Sequence, residues 1–245
     1  MHQLDKTDIP HSSIEKTAKI YNQIAPHFSV TRRTMIDEMK ILLPYIKGCP
    51  SILDVGCGTG RAYRFLKVNK AICRYRGVDI SEEQIREAKK EFPEISCTVA
   101  DMTALPFDNA SFNIVLMIAS FHHLPDRESR LLALAEAHRI LKPDGIVFMT
   151  NWNLMQKKYI KYYLSSLGRS LVTPGTYSIK DLFIPWKNET GTVMAKRYYH
   201  SFGKKEIALL AQKSGFMILE NCYTKGEKKV RMWGAYNLLT ILRKS

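Results

Sequence analysis

The sequence predicts one α/β domain built on a mostly parallel sheet, and three observations carry that expectation. A chain of 245 residues with 45% hydrophobic content can bury a substantial core in one domain. From Ser51 onward short apolar runs alternate with helical stretches, the pattern of crossover units that join parallel strands. The last two apolar runs are joined by a turn without a helix, so they must run antiparallel to one another.

The elements follow in order. A polar start, residues 1–13, leads into a helical stretch from about Ile14 to Ala25, expected to stop at Pro26, and a second from about Thr34 to Tyr45. Residues 1–45 therefore read as an N-terminal helical cap and 46–245 as the main domain. Within it come "SILDVG", a helix, "YRGVD", a helix opened by Ser81 with Glu82 and Glu83 in its first turn, "ISCTVA" and "FNIVLMIA". A helix from about Arg127 to Leu141 closes at a Lys-Pro-Asp-Gly stop before the strand "GIVFMTNW". Residues 153–201 carry many Lys and Tyr, a Thr173-Pro174-Gly175 turn and no clean period, and read as an insertion. The rhythm resumes with a helix from about Lys204 to Lys213, the strand "FMILENCYT", a basic turn "KGEKKVR" and the strand "AYNLLTILRK".

The net charge of +14 is uneven: residues 151–245 hold 17 Lys and Arg against 5 Asp and Glu, while residues 1–150 hold 20 against 18. Such a field concentrates polyanions, with nucleic acid the leading partner and an anionic membrane surface the second. The five cysteines (Cys49, Cys57, Cys73, Cys97, Cys222) form no C-x-x-C pair and have no histidine at ligand spacing, so neither a zinc site nor a disulfide framework is expected. The first 15 residues lack the apolar core of a signal peptide, and no apolar run approaches the roughly 20 residues of a membrane span. The expected setting is the reducing cytoplasm.

"LDVGCGTG" places Gly56, Gly58 and Gly60 between a strand and a helix, where missing side chains let a ligand approach the backbone at the carboxyl end of the sheet. Position 61, where the dinucleotide fingerprint requires its third glycine, is Arg61, and no Gly-Lys-Ser/Thr follows. A pyrophosphate-binding NAD site and a phosphate-cradling loop are both disfavoured. Asp79 ends the next strand, where a carboxylate can accept both hydroxyls of a ribose. Asp101 occupies the equivalent end one strand later and is followed by Met102; a carboxylate that accepts from an exocyclic amine, beside a thioether that packs on a flat ring, suits adenine. With Asp54, three acids stand in phase at successive strand ends.

At these residues the chain resembles a known family. "ILDVGCGTG", "GVDIS", "VADMTALPFDNASFNIV" and "FHHLPD" are similar to class I methyltransferases that use S-adenosylmethionine, over roughly residues 45–150. The resemblance implies a Rossmann-like, seven-stranded, mostly parallel sheet with one antiparallel strand and helices on both faces. It also implies that the loop Asp54, Gly56, Gly58 and Gly60 holds the methionine part of the cofactor. Asp79, with Ile80, would hold the ribose, and Asp101 with Met102 would flank the adenine, with Ala119 nearby.

Methyl transfer is an in-line displacement on a sulfonium, so the protein supplies alignment and, for a poor nucleophile, a base. The fourth strand ends in Ile118-Ala119-Ser120-Phe121-His122-His123, unlike the Asn-Pro-Pro-Tyr motif of amino methyltransferases, and no Pro-Cys nucleophile follows. Oxygen methylation is favoured by elimination. His122 or His123 could line the transfer pocket and serve a hydroxyl acceptor as base. A carboxylate acceptor, with a pKa near ~4, needs only positive groups to orient it.

Three outer stretches, "YNQIAPHFSVTRR" (21–33), "DLFIPWK" (181–187) and "KRYYHSF" (196–202), resemble the transfer-RNA methyltransferases that esterify a carboxymethyl group on the wobble uridine, including the methyltransferase domain of their AlkB-homologue relatives. The resemblance implies that Tyr21 and Arg32 close over the methionine end of the cofactor. It places Arg197, Tyr198 and His200 near the acceptor, where His123 is also expected because it follows the strand end nearest the methyl group. A guanidinium can grip a carboxylate through two parallel N–H bonds, and Tyr or His rings can stack on an unpaired base. As a plain strand, "RYYH" would instead put Tyr198 and His200 on one face and Arg197 and Tyr199 on the other. Trp186 reads as core. The chain departs from the family in its long basic turn "KGEKKVRMWGAY", in Asn237 being followed by Leu238, and in "NWNLMQKKY" after the fifth strand.

The expected function is a transfer-RNA methyltransferase acting on 5-carboxymethyluridine, with Lys157, Lys158, Lys161, Lys204, Lys205, Lys228, Lys229 and Arg231 on phosphates. The resemblance also implies a further partner, the small zinc-binding activator protein used by the family's eukaryotic members. The alternatives are a small-molecule methyltransferase of the quinone or metabolite type and a non-enzymatic RNA-binding scaffold.

Overall fold

The computed structural model describes residues 13–31, 37–173 and 175–245. Helix α1 (Ile14–Thr31) comes first, then a 3-10 helix (Asp37–Tyr45). Pro26 does not stop α1, which runs through it to Thr31. Ile24 and Ala25 are fully buried, and the Ser29 and Thr31 hydroxyls donate back to the Pro26 and His27 carbonyls, so packing and local bonds outweigh the roughly 3 kcal/mol a helical proline costs.

The core domain alternates as expected: β1 (Ser51–Val55), α2 (Arg61–Val68), β2 (Arg74–Asp79), α3 (Glu82–Glu91), β3 (Cys97–Val99), β4 (Phe112–Ile118), α4 (Arg127–Ile140) and β5 (Leu141–Trp152). Ser81 caps α3, its hydroxyl accepting from the Gln84 N–H, and Asp126 caps α4 through the Ser129 N–H. The Lys142-Pro143-Asp144-Gly145 stretch belongs to the start of β5, with a register irregularity against β4 where the strands begin.

Residues 153–201 are more ordered than their composition suggests. They form helix α5 (Ile160–Val172) and an antiparallel pair, β6 (Asp181–Lys187) and β7 (Val193–His200), separate from the main sheet. Then follow α6 (Lys204–Lys213), β8 (Phe216–Lys225), β9 (Lys228–Lys229) and β10 (Asn237–Lys244).

The main sheet has the order β3-β2-β1-β4-β5-β10-β8-β9. It has eight strands rather than seven, because the basic turn folds into the two-residue β9 against the end of β8. β1 to β5 pair in parallel, and β10 runs antiparallel to both β5 and β8. Alternation along the strands builds one core on each face. Leu53, Val115, Met117, Val147 and Met149 pack with α4 and α6, while Ile52, Ile114, Leu116 and Phe148 pack with Phe65 and Leu66 of α2 and with Met39 and Leu42. Among the described residues no helix is long and apolar enough to cross a membrane.

Candidate active site

A pocket opens at the carboxyl ends of β1, β2, β4 and β5, with α1 and β7 over it. Its first half is made by the glycine loop and the strand-end acids. The Gly56 and Cys57 N–H groups both donate to the Val78 carbonyl, and a Cβ on Gly56 would lie 2.3 Å from the Ser120 Cβ. Only glycine lets β1 turn so close to the end of β4, and its φ of 78° requires the same. Gly58 donates its N–H to Asp79 Oδ2 at 2.8 Å, while Asp79 Oδ1 accepts from the Ser81 N–H at 2.9 Å. Burial raises the Asp79 pKa against these bonds.

Asp54 is buried, and the Tyr75 hydroxyl donates to its Oδ2 at 2.7 Å. Its Oδ1 has no hydrogen-bond partner among the described residues. Burial pushes the carboxyl up to about 7, against the Tyr75 bond. Asp101 accepts the Thr103 N–H at 2.8 Å, and Ile80, Met102 and Ala119 complete this half. Gly60 lies behind the wall: at φ 81° it precedes α2, and a Cβ there would meet the Phe92 ring at 3.1 Å. The structure thus brings Asp54, Gly56, Gly58, Asp79, Ile80, Asp101, Met102 and Ala119 together, with Gly60 supporting the loop from outside. Arg32 lies outside the described residues.

The second half is aromatic and cationic. Tyr21 and Phe28 of α1, His122 and His123 after β4, Trp152 at the end of β5, and Arg197 and Tyr199 of β7 line it. Trp152 and Tyr199 stack at 5.0 Å and 15°. The Arg197 guanidinium, in a residue only 4% exposed, lies 4.5 Å from the Trp186 ring, 5.1 Å from Tyr199 and 5.7 Å from Trp152. Its Nε meets no acceptor among the described residues. Burial opposes its charge, but the phenols of Tyr199 and Tyr21 more than offset this and it stays cationic. No carboxylate pairs with it among the described residues.

His123 is fixed as one tautomer. Its Nδ1 lies 2.8 Å from the Tyr198 carbonyl, which can only accept, so Nδ1 carries the proton. Its Nε2 then accepts the Tyr21 hydroxyl proton at 2.8 Å. Burial drives the ring's pKa down to about 3 and that of His122 well below its ordinary value. Neither ring is a ready base near neutral pH.

Tyr198 and His200 do not reach this pocket, which corrects the sequence expectation. Strand alternation turns them to the opposite face of β7. There Tyr198 donates its hydroxyl to Asp181 Oδ1 at 2.7 Å and accepts from Arg130 at 3.0 Å. His200 bridges Asp181 Oδ1 at 2.6 Å and Glu206 Oε1 at 2.7 Å. Burial works against both carboxylates, but the His200 bonds, joined by Tyr198 and Ser178 on Asp181 and by Lys180 on Glu206, together outweigh it, holding Asp181 below its ordinary range and Glu206 at about 2. This network ties the inserted pair to α4 and α6. Trp186 is core, as expected, donating its Nε1–H to His27 at 2.9 Å. Trp152 and Tyr199 were missed by sequence reasoning, although the Tyr199 signal was its parity with Arg197.

The comparisons agree with this geometry. The family model for a methyltransferase domain matches residues 53–149. The chain is 26% identical to a tRNA (carboxymethyluridine(34)-5-O)-methyltransferase of Xenopus tropicalis, over 85% of this chain and 39% of that protein. It is 33% identical to the protein of the same name from Saccharomyces cerevisiae, over 70% and 56%. The chain thus spans well under two thirds of either relative. A ubiquinone/menaquinone biosynthesis C-methyltransferase of Campylobacter jejuni is 26% identical over 84% of this chain and 91% of its own. Among solved structures, a S-adenosylmethionine-dependent methyltransferase of Methanosarcina mazei matches the fold with a TM-score of 0.68 at 23% identity, covering 83% of this chain and 96% of that one. A Haloferax volcanii putative methyltransferase, solved with the Trm112 methyltransferase activator, matches at 0.63 and 19% identity, covering 93% and 96%. A glycine-turned loop, a buried acid with an unpartnered oxygen and acids at successive strand ends fit the cofactor that these likenesses name. Residues 53–149 thus form a methyltransferase domain, and the chain has the fold of S-adenosylmethionine-dependent methyltransferases.

Proposed function

We propose that the chain methylates a carboxylate on an unpaired uridine of transfer RNA, the carboxymethyl group of 5-carboxymethyluridine at the wobble position. The observation that carries this reading is Arg197: a buried cation without a carboxylate partner among the described residues, beside the cofactor half of the pocket. A buried charge is costly unless a counter-ion arrives, and an incoming carboxylate supplies one. Arg197 would hold that group through parallel N–H bonds and aim one oxygen at the cofactor. The stacked Trp152 and Tyr199 suit a flat base.

S-adenosylmethionine supplies, when bound, an electrophilic methyl group on a sulfonium. A carboxylate held by Arg197 would accept that methyl group as an ester, with the C–S electron pair remaining on sulfur and no proton to move. Histidines whose burial disfavours the protonated form suit an acceptor that needs no base. Asp54 Oδ1 would meet the cofactor's ammonium, Asp79 its ribose, and Asp101 with Met102 its adenine, while Tyr21 and Arg32 would close the methionine end. Residues 1–45 would act as the cap, the inserted β6–β7 pair as the acceptor wall, and the basic C-terminal third as the surface for RNA phosphates. A small zinc-binding activator is a second proposed partner, tested by adding one to the purified chain.

Labelled cofactor with bulk transfer RNA, followed by nucleoside analysis, is the test. Label in a methyl ester of carboxymethyluridine supports the reading, and label in no RNA overturns it. The likeness to the quinone enzyme favours a second reading, a small-molecule methyltransferase. A small-molecule enzyme would depend only weakly on salt, whereas RNA affinity falls steeply with it.

A further inference from the structure

The turn between β8 and β10 is not used by the site described above, yet it places two aromatic rings in water beside it. Trp233 is 71% exposed and Tyr236 53%, while Trp186 is 6% exposed. The segment is not loose. The Asn153 side-chain amide donates to the Met232 and Ala235 carbonyls, at 2.6 and 3.0 Å, and the Asn153 N–H donates to the Tyr236 carbonyl at 2.9 Å. Ala235 is fully buried between the two rings in sequence. Asn153 directly follows Trp152 of the pocket wall, and β10 begins with Asn237 paired to Trp152. The turn is therefore anchored at the end of the sheet where the pocket opens.

Its charges are sorted. The one acid of the turn, Glu227, is held by Lys40 at 2.9 Å, and Lys229 pairs with Glu220 at 2.5 Å. Lys225, Lys228 and Arg231 have no ion-pair partner among the described residues, and the Lys225 ammonium sits 5.1 Å from the Tyr236 ring centroid. Held aromatic faces among unpaired cations are the means by which proteins bind single-stranded nucleic acid: rings stack on bases while cations track phosphates. A protein partner would be expected to cover aliphatic surface too. The exposed Met217, Ile218 and Leu219 lie at the opposite end of β8.

We propose that Trp233 and Tyr236, flanked by Lys225, Lys228 and Arg231, form a stacking platform for unpaired nucleotides of RNA next to the acceptor nucleotide. The RNA class rests on the function proposed above, and the test separates the two. The full chain and its variants are titrated by calorimetry with single-stranded oligouridine, an RNA duplex and inorganic polyphosphate, and tryptophan fluorescence is followed in the wild type. Single strands should quench the exposed Trp233. Trp233→Ala should weaken single-strand binding about 5- to 100-fold, with Trp233→Phe retaining most of it and polyphosphate binding changing less than about twofold.

Equal weakening toward polyphosphate, or none toward single strands, overturns the platform. So does a concentration-dependent dimer of the wild type that Trp233→Ala abolishes, which would make the patch a protein interface. Methyl transfer to transfer RNA is measured in parallel, where Trp233→Ala should raise KM and leave cofactor affinity unchanged. Trp233-dependent single-strand binding without any RNA methylation would remove the proposed substrate and keep the platform. Methylation with an unchanged KM in Trp233→Ala would do the reverse.

Discussion

The two halves of the pocket solve opposite electrostatic problems. The cofactor half gathers carboxylates, Asp54, Asp79 and Asp101, and moderates them with backbone N–H groups and the Tyr75 hydroxyl. The acceptor half gathers a guanidinium, two neutral histidines and a stack of aromatic rings, with no acid against Arg197 among the described residues. One half is prepared for a cationic ligand and the other for an anionic one. A sulfonium donor and a carboxylate acceptor differ in this same sense, so the contrast itself argues for the reaction.

The strongest way to break this contrast is to remove the cation. Arg197→Ala should lower kcat/KM for the acceptor about 100-fold, the scale of a lost charge-assisted contact, and leave cofactor affinity within twofold by calorimetry. Equal loss of both would place Arg197 on the cofactor side. Arg197→Met should leave thermal stability unchanged or raise it, because a buried charge without a counter-ion does not support the fold.

The corresponding change in the other half is Asp54→Asn, expected to weaken cofactor binding roughly 10- to 100-fold. With its carboxyl at about 7, wild-type affinity should rise with pH up to about that value, by at most about tenfold per unit, and the variant should lose this slope. The sign for stability is opposite. A carboxyl raised from 3.8 stabilises the unliganded fold most below that value, and the contribution is lost as pH rises through 7. Bound cofactor should remove that decline, which thermal melts across the pH range would show.

The cofactor half was legible because each of its residues sits in a local pattern: a strand, a turn that needs glycine, and an acid at the next strand end. The acceptor half depends on contacts across the chain. Arg197 could be anticipated, but Tyr198 and His200 were preferred to Tyr199, although a strand that points Arg197 inward must point Tyr199 the same way. Nothing in sequence announced that Asp181 and Glu206 would claim His200. Trp152 joined the site through its stack on Tyr199 from a different element. In the cap, Pro26 misled because burial of Ile24 and Ala25 overrode a local rule. Helix α5 was hidden by a composition without clear periodicity.

Parity supplies a finer test. Tyr199→Ala should raise the acceptor KM roughly 5- to 10-fold, the worth of one lost stacking surface, with modest change in kcat. Tyr198→Phe should cost about 1–2 kcal/mol of stability, by leaving Arg130 and Asp181 each a bond short, and leave KM unchanged. If the two variants exchanged phenotypes, β7 would be facing the other way.

The smallest expected effect is an absence of titration. A hydroxyl acceptor would need a base with a pKa near the working pH, and turnover would then climb through that value. Here His123 is held at about 3, with its Nδ1 proton committed to the Tyr198 carbonyl and its Nε2 lone pair to the Tyr21 hydroxyl. A carboxylate acceptor is already ionised. At saturating cofactor, which suppresses the Asp54 dependence, kcat should therefore stay level between about pH 6 and 8. Tyr21→Phe, which frees Nε2, should not introduce a slope, because burial still holds the ring neutral. A rise in kcat with an apparent pKa near 6.5 would assign His123 the role of base and replace the carboxylate with a hydroxyl, whatever Arg197 does.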